Sequence, residues 1–184
     1  KALKLLDQAN TLDPNFGLPY LLRGKVYMTV GLEDSARDVV ASSSELELPT
    51  AQDYADRGLI SAYFGQISSA FDDLNEAIFI SPQNPNYYNI RAKIFANNSD
   101  FESAISDLNS AIELDPSRSQ FLVNRGVLRH ILGESENAAA NFKLAQVLDE
   151  VEIPPPSVRD ISYFTYFDSF MFATTSETDT TEAQ

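Results

Sequence analysis

The sequence predicts an all-α protein, a solenoid of antiparallel helix hairpins stacked side by side. Three observations carry that reading. The stretch AISDLNSAIELDP, ending at Pro116, repeats thirty-four residues upstream as AFDDLNEAIFISP, ending at Pro82. Within the repeat, apolar residues recur at helical spacing. Between the helical stretches stand Gly, Asp-Pro or Asn-rich breaks at matching places. A period of this length marks an array of supersecondary units, none of which can bury its own apolar face without a neighbour.

Stepping from Pro116 by 34 lands on Pro82, Leu48 and Pro14, and forward on Glu150. The chain therefore divides into a half unit (1–16) and four full units, 17–50, 51–84, 85–118 and 119–152. Residues 1–12 form the second helix of a hairpin whose first helix is expected upstream; without it Leu3, Leu6 and Ala9 lie open. In each full unit the eighth place is small (Gly24, Gly58, Ala92, Gly126), as is the twentieth (Ala36, Ala70, Ala104, Ala138). So is the twenty-seventh, with Ala9, Ser43, Ala77, Ala111 and Ala145. Small side chains at matched places let two helix axes approach closely. Large apolar groups fill the fourth place (Tyr20, Tyr54, Tyr88, Leu122) and the twenty-fourth (Leu6, Val40, Leu74, Leu108, Phe142). The third unit shows the grammar best. NYYNIRAKIFA places Tyr87, Ile90, Ile94 and Phe95 on a helical pattern, and NNSD interrupts it. Asp100 then caps FESAISDLNSAIEL, and Asp115-Pro116 stops that helix. Gly31, Gly65 and Gly133 make the corresponding turns elsewhere.

This register resembles the tetratricopeptide repeat family over residues 1 to about 150, with Tyr or Leu where the family usually has Trp at the fourth place. The first full unit departs most, having Ser43 and Leu48 where Ala and Pro are typical. The resemblance implies a right-handed superhelix whose first helices line a concave groove with places two, five, nine and twelve. In this chain those are Leu18, Leu21, Lys25 and Met28, then Gln52, Ala55, Leu59 and Ala62. They continue as Asn86, Asn89, Lys93 and Ala96, with Asn97 close by, then Gln120, Val123, Val127 and His130. The apolar start of that list offers an adaptable surface, and the Asn amides can both donate to and accept from a peptide backbone. One subfamily clamps the terminal carboxylate of chaperone peptides with Lys, Asn, Asn, Lys and Arg. Its places hold Leu21, Lys25, Asp56, Asn86 and Ile90 in one window here and Ala55, Leu59, Ile90, Gln120 and Asn124 in the next. Neither set pairs two cations with a carboxylate, so that capture is disfavoured.

Arg23, Arg57, Arg91 and Arg125 repeat at the seventh place. Asp73 and Asp107 follow Arg57 and Arg91 by sixteen residues, which predicts bidentate pairs inside the hairpins rather than an anion track. Val39 and Asn141 stand at that offset in the other units, whose arginines need further partners.

Composition narrows the function classes. Lys and Arg number 13 against 27 Asp and Glu, a net charge of −14, which repels phosphate backbones and disfavours nucleic acid. The chain has no Cys, which removes disulfides and thiol chemistry. No apolar run approaches the roughly 20 residues that span a bilayer. KALKLLDQANTLDP is not a signal peptide, and the compartment, cytoplasmic or exported, stays open. The single histidine, His130, is a groove residue rather than a catalytic base, and neither metal-ligand spacing nor a Gly-rich phosphate loop is present. No catalytic residue, metal or cofactor is expected.

After the array, residues 153–157 form a stiff Pro-rich connector. An aromatic segment, 158–173, follows, and then an acidic polar tail, 174–184. Ile161, Phe164, Phe167 and Met171 suit one face of a helix that Ser157 can cap, although alternation of Tyr163, Thr165, Phe167 and Ser169 also suits a strand. Aromatics stand on more than one face, so Tyr163, Tyr166, Phe170 and Phe172 are candidate contacts. Three destinations stay open for them: a cap on the last hairpin, the chain's own groove, or another chain, self-association included. The functional expectation is a non-catalytic module that holds a protein or peptide in the groove. The alternative is a structural subunit of a larger assembly, anchored by the aromatic segment and the open N-terminal edge.

Overall fold

The computed structural model describes residues 1–149; the connector, the aromatic segment and the polar tail lie outside them. All regular structure among the described residues is α-helical. The helices are α1 (Ala2–Leu12), α2 (Leu18–Thr29), α3 (Glu33–Ala41), α4 (Ala51–Tyr63) and α5 (Ile67–Ile80). They continue as α6 (Pro85–Asn97), α7 (Phe101–Leu114), α8 (Ser119–Ile131) and α9 (Ser135–Asp149). Consecutive helices pack as hairpins, α2 on α3, α4 on α5 and α8 on α9. The described residues fall into two compact units, one through Ile94 and one from Phe95.

In the first unit the small columns lie at the helix contacts. Ala36, Ala70 and Ala77 are wholly buried, and a Cβ added at Gly24 would stand 2.6 Å from Val40 Cγ2. The fourth-place tyrosines tie each loop to the helix after it. Tyr20 Oη donates to Pro14 O at 3.2 Å and Tyr88 Oη to Pro82 O at 3.1 Å. Where Leu48 replaces Pro, its free N–H donates to Tyr54 Oη at 3.1 Å, so the departure keeps the tie and reverses its direction. The same unit has a short second helix: α3 ends at Ala41 and residues 42–45 are turns. The N-terminal edge differs from expectation in detail. Leu3, Leu6 and Ala9 are half-buried, because α1 lies against α2, while Leu5 and Leu12 are exposed.

The second unit repeats the logic. Asp100 caps α7 by accepting from Ser103 N at 3.1 Å, as its place in NNSD predicts. Gly31, Gly65 and Gly133 all take positive φ at the hairpin turns, and the matching place in the third repeat is Ser99, φ 63°. Ala104, Ala111 and Ala145 are wholly buried, and Gly126 faces the ring of Phe142.

Candidate peptide-binding face

The seventh-place arginines lie beside the candidate face and work both within a hairpin and toward the one before it. Arg57 is 2% exposed and makes the predicted fork with Asp73, Nε to Oδ2 at 2.9 Å and Nη2 to Oδ1 at 2.7 Å. Burial pushes the Asp73 carboxyl up, against the pull of the guanidinium. Arg57 Nη1 also donates to the carbonyls of Ser43 and Leu46, groups left without helical partners where α3 stops short. A second offset, sixteen residues upstream, completes the set. Arg23 pairs with Asp7 at 2.6 Å, Arg91 Nη1 donates to Asn75 Oδ1 at 2.6 Å, and Arg125 Nη1 to Asn109 Oδ1 at 2.7 Å. Arg125 Nε reaches Asn141 Oδ1 at 2.8 Å. With Val39 at its downstream offset, Arg23 leaves its buried Nε unpartnered. The upstream acceptors escaped the sequence reading, which looked only downstream; their signal was the Asp or Asn at that fixed offset.

In the first unit, α2 lies against α4, and one polar cluster joins them. Lys25 of α2 forms an ion pair with Asp56 of α4, whose other oxygen accepts from Gln52 Nε2 at 2.7 Å. The ninth place of one helix and the second and sixth of the next thus share a surface. Leu18, Lys25, Met28 and Leu59 are partly exposed there and Gln52 is exposed. The fifth place behaves otherwise: Leu21 and Ala55 are wholly enclosed and Asn89 is 7% exposed. Asn86 is half-buried with its N–H on Asn84 Oδ1, and burial lowers the pKa of the Lys93 ammonium.

In the second unit Asn97 and Gln120 are exposed and His130 is partly exposed, whereas Val123 and Val127 are buried. Gln120 Nε2 donates to Asn124 Oδ1 at 2.8 Å. Tyr163, Tyr166, Phe170 and Phe172 lie outside the described residues. Among the described residues no cluster of His, Cys, Asp or Glu could hold a metal ion, and no helix is long and apolar enough to cross a membrane.

Residues 85–118, the third repeat, match the tetratricopeptide repeat family model. The chain has the tetratricopeptide-repeat (TPR) fold. Its fold agrees with solved TPR structures. MamA shares 22% identity, with 80% of this chain and 86% of that one covered at a TM-score of 0.69. YrrB, described as a TPR protein with an unusual peptide-binding site, shares 18% identity over 91% and 81% of the two chains, also at 0.69. The second TPR of Spaghetti (RPAP3), bound to the HSP90 peptide SRMEEVD, shares 28% identity at a TM-score of 0.50. It covers 53% of this chain and 85% of its own. No curated protein matches this chain in sequence.

Proposed function

We propose that this chain is a non-catalytic interaction module that holds an extended protein segment against its first helices, with the α2–α4 surface as an anchor. The observation that carries this is the Lys25–Asp56–Gln52 cluster flanked by partly exposed Leu18, Met28 and Leu59. Adaptable apolar groups supply contact area, and a few fixed polar groups orient a bound chain. Peptide-binding TPR relatives support the same class of function.

The ion pair also bears on specificity. Lys25 is neutralised by its neighbour, so this surface offers no uncompensated cation to an acidic tail of the SRMEEVD kind. With a whole-chain charge of −14, neutral or basic segments are the favoured occupants. Asn86 and Lys93, in the same compact unit, extend the proposed contact set. Asn89 is enclosed, so its replacement reads on stability as much as on binding.

A peptide array probed with the full chain tests this. Apolar–basic peptides should be retained over acidic-tailed ones, and Met28→Glu with Leu59→Glu should weaken them at least about tenfold with helicity unchanged. Binding indifferent to both substitutions would remove the α2–α4 surface from the function. The assembly-subunit reading draws on exposed Leu5 (58%) and Leu12 (87%) of α1. It expects Leu5→Glu with Leu12→Glu to abolish association while the groove pair does nothing.

A further inference from the structure

We propose that residues 43–48 are a strap that sets the spacing of the α2–α4 surface, with Tyr54 and Arg57 as the positioning residues that hold it. The inference rests on the reading of that surface as the anchor of a bound segment, and it names what fixes the anchor's geometry. Its starting point is a departure of the first full repeat from its sisters. α5 and α7 each run for 14 residues, whereas α3 stops after 9. The stretch that makes the last turn of the other second helices here touches the start of α2 on one side and α4 on the other.

On the α2 side, Gly17 N–H donates to Glu47 O at 3.2 Å. Outside the helices, this is the one main-chain hydrogen bond among the described residues that joins segments more than five positions apart. The approach is close: a Cβ on Gly17 would stand 2.7 Å from Glu47 O and 3.1 Å from Leu48 Cδ2. The sister repeats have Ala51, Pro85 and Ser119 at that place, and Gly17 has an ordinary φ of −69°, so closeness rather than backbone freedom accounts for the glycine. On the α4 side, Tyr54 Oη accepts from Leu48 N at 3.1 Å, and Arg57 Nη1 donates to the carbonyls of Ser43 and Leu46. The Arg57 guanidinium lies 5.5 Å from the Tyr54 ring centroid, so the two side chains work from one face of α4. Arg57 is available for this because Ala41 stands where Arg91 and Arg125 find Asn75 and Asn109. Its other end is fixed by Asp73. The Lys25–Asp56 pair thus joins α2 and α4 directly, and the strap ties the start of α2, next to Leu18, to the same helix. A surface held at both points is ordered before a ligand arrives.

The test uses the full chain and a C-terminally amidated peptide of alternating leucine and lysine as probe. Gly17→Ala pushes on the strap from α2. Ala41→Asn with Tyr54→Phe loosens it from α4, because the exposed Asn offers Arg57 the acceptor that its sisters use. Either change should weaken the peptide at least about fivefold, with helicity by circular dichroism retained. Amide exchange at residue 17 should quicken at least about tenfold. Asp73→Asn, which leaves the strap contacts in place, should lower the melting temperature and keep wild-type affinity. An equal loss of affinity in Asp73→Asn would overturn the proposal, since Arg57 would then act through stability alone. Met28→Glu with Leu59→Glu reports on the surface itself. If that pair weakens the peptide while the strap variants do not, the anchor stands and the strap inference falls. If that pair changes nothing, the anchor reading fails and the strap has no site to position.

Discussion

Ser99 adopts φ 63° at the hairpin turn where the other repeats have glycine. A Cβ in that left-handed region costs about 1–2 kcal/mol relative to the right-handed form, and glycine removes most of it. Ser99→Gly should therefore raise the melting temperature by about 2–4 °C, measured by circular dichroism at 222 nm. Tyr87 gives a pH-dependent counterpart. Its hydroxyl is pushed up from 10.0 chiefly by burial, with Asp56 and Asp53 adding to it against a hydrogen bond from Asn84. A raised folded-state value means that the stability from keeping Tyr87 neutral is whole below pH 10 and is lost as pH rises through that value. Tyr87→Phe should flatten the alkaline loss of melting temperature, and the wild-type tyrosinate absorbance should show one group titrating late. These residues also mark the limit of sequence reading. NNSD announced a break and Asp100 a cap, yet nothing in the letters said that Ser99 would take the glycine conformation. The burial of Asn89 was hidden for a different reason: enclosure depends on which neighbours close over a place, and periodicity gives only the direction in which it points.

Among helix pairs, approach distance is set by the eighth place. A Cβ on Gly126 would lie 2.7 Å from Phe142 Cε1 and 2.9 Å from Cζ, and Phe142 is itself buried. Gly126→Ala overpacks α8 against α9 by about 1–3 kcal/mol, more than the ~1 kcal/mol of helix propensity that it gains. At Gly58 the nearest atoms are Ala70 O at 3.1 Å, Asp73 Cβ at 3.2 Å and Leu74 Cγ at 3.3 Å, and the third repeat already has Ala92 there. Gly58→Ala should thus leave the urea midpoint nearly unchanged while Gly126→Ala lowers it. Equal shifts would show that close approach is not what the small column secures. The hairpins, their turns and their buried small columns were legible because the period lined up residues with one job. The arginine contacts were legible by half, since the downstream aspartate was sought and the upstream acceptors were not. Asp56, which couples α2 to α4, went unnoticed as a site residue because its partner Lys25 lies 31 positions away in another repeat.

For the molecule as a whole, a charge of −14 sets a field that favours cationic partners over long distances in dilute salt. If the bound segment is basic, association should slow by about tenfold between 50 and 500 mM NaCl while dissociation changes little, a split that stopped-flow mixing resolves. Salt-independent association would assign the recognition to Leu18, Met28 and Leu59 instead.

The arginine contacts have a bearing on how such a chain can grow. Donor and acceptor stand sixteen places apart in either direction, both short of one full period. A tandem duplication of residues 85–118 therefore sets Asn109 sixteen places before the new copy of Arg91 and Asp107 sixteen places after it. Gene-level copying of the third repeat thus supplies an added hairpin with its guanidinium acceptors already in place, whereas a copy of the first, with Val39 and Ala41 at those offsets, does not.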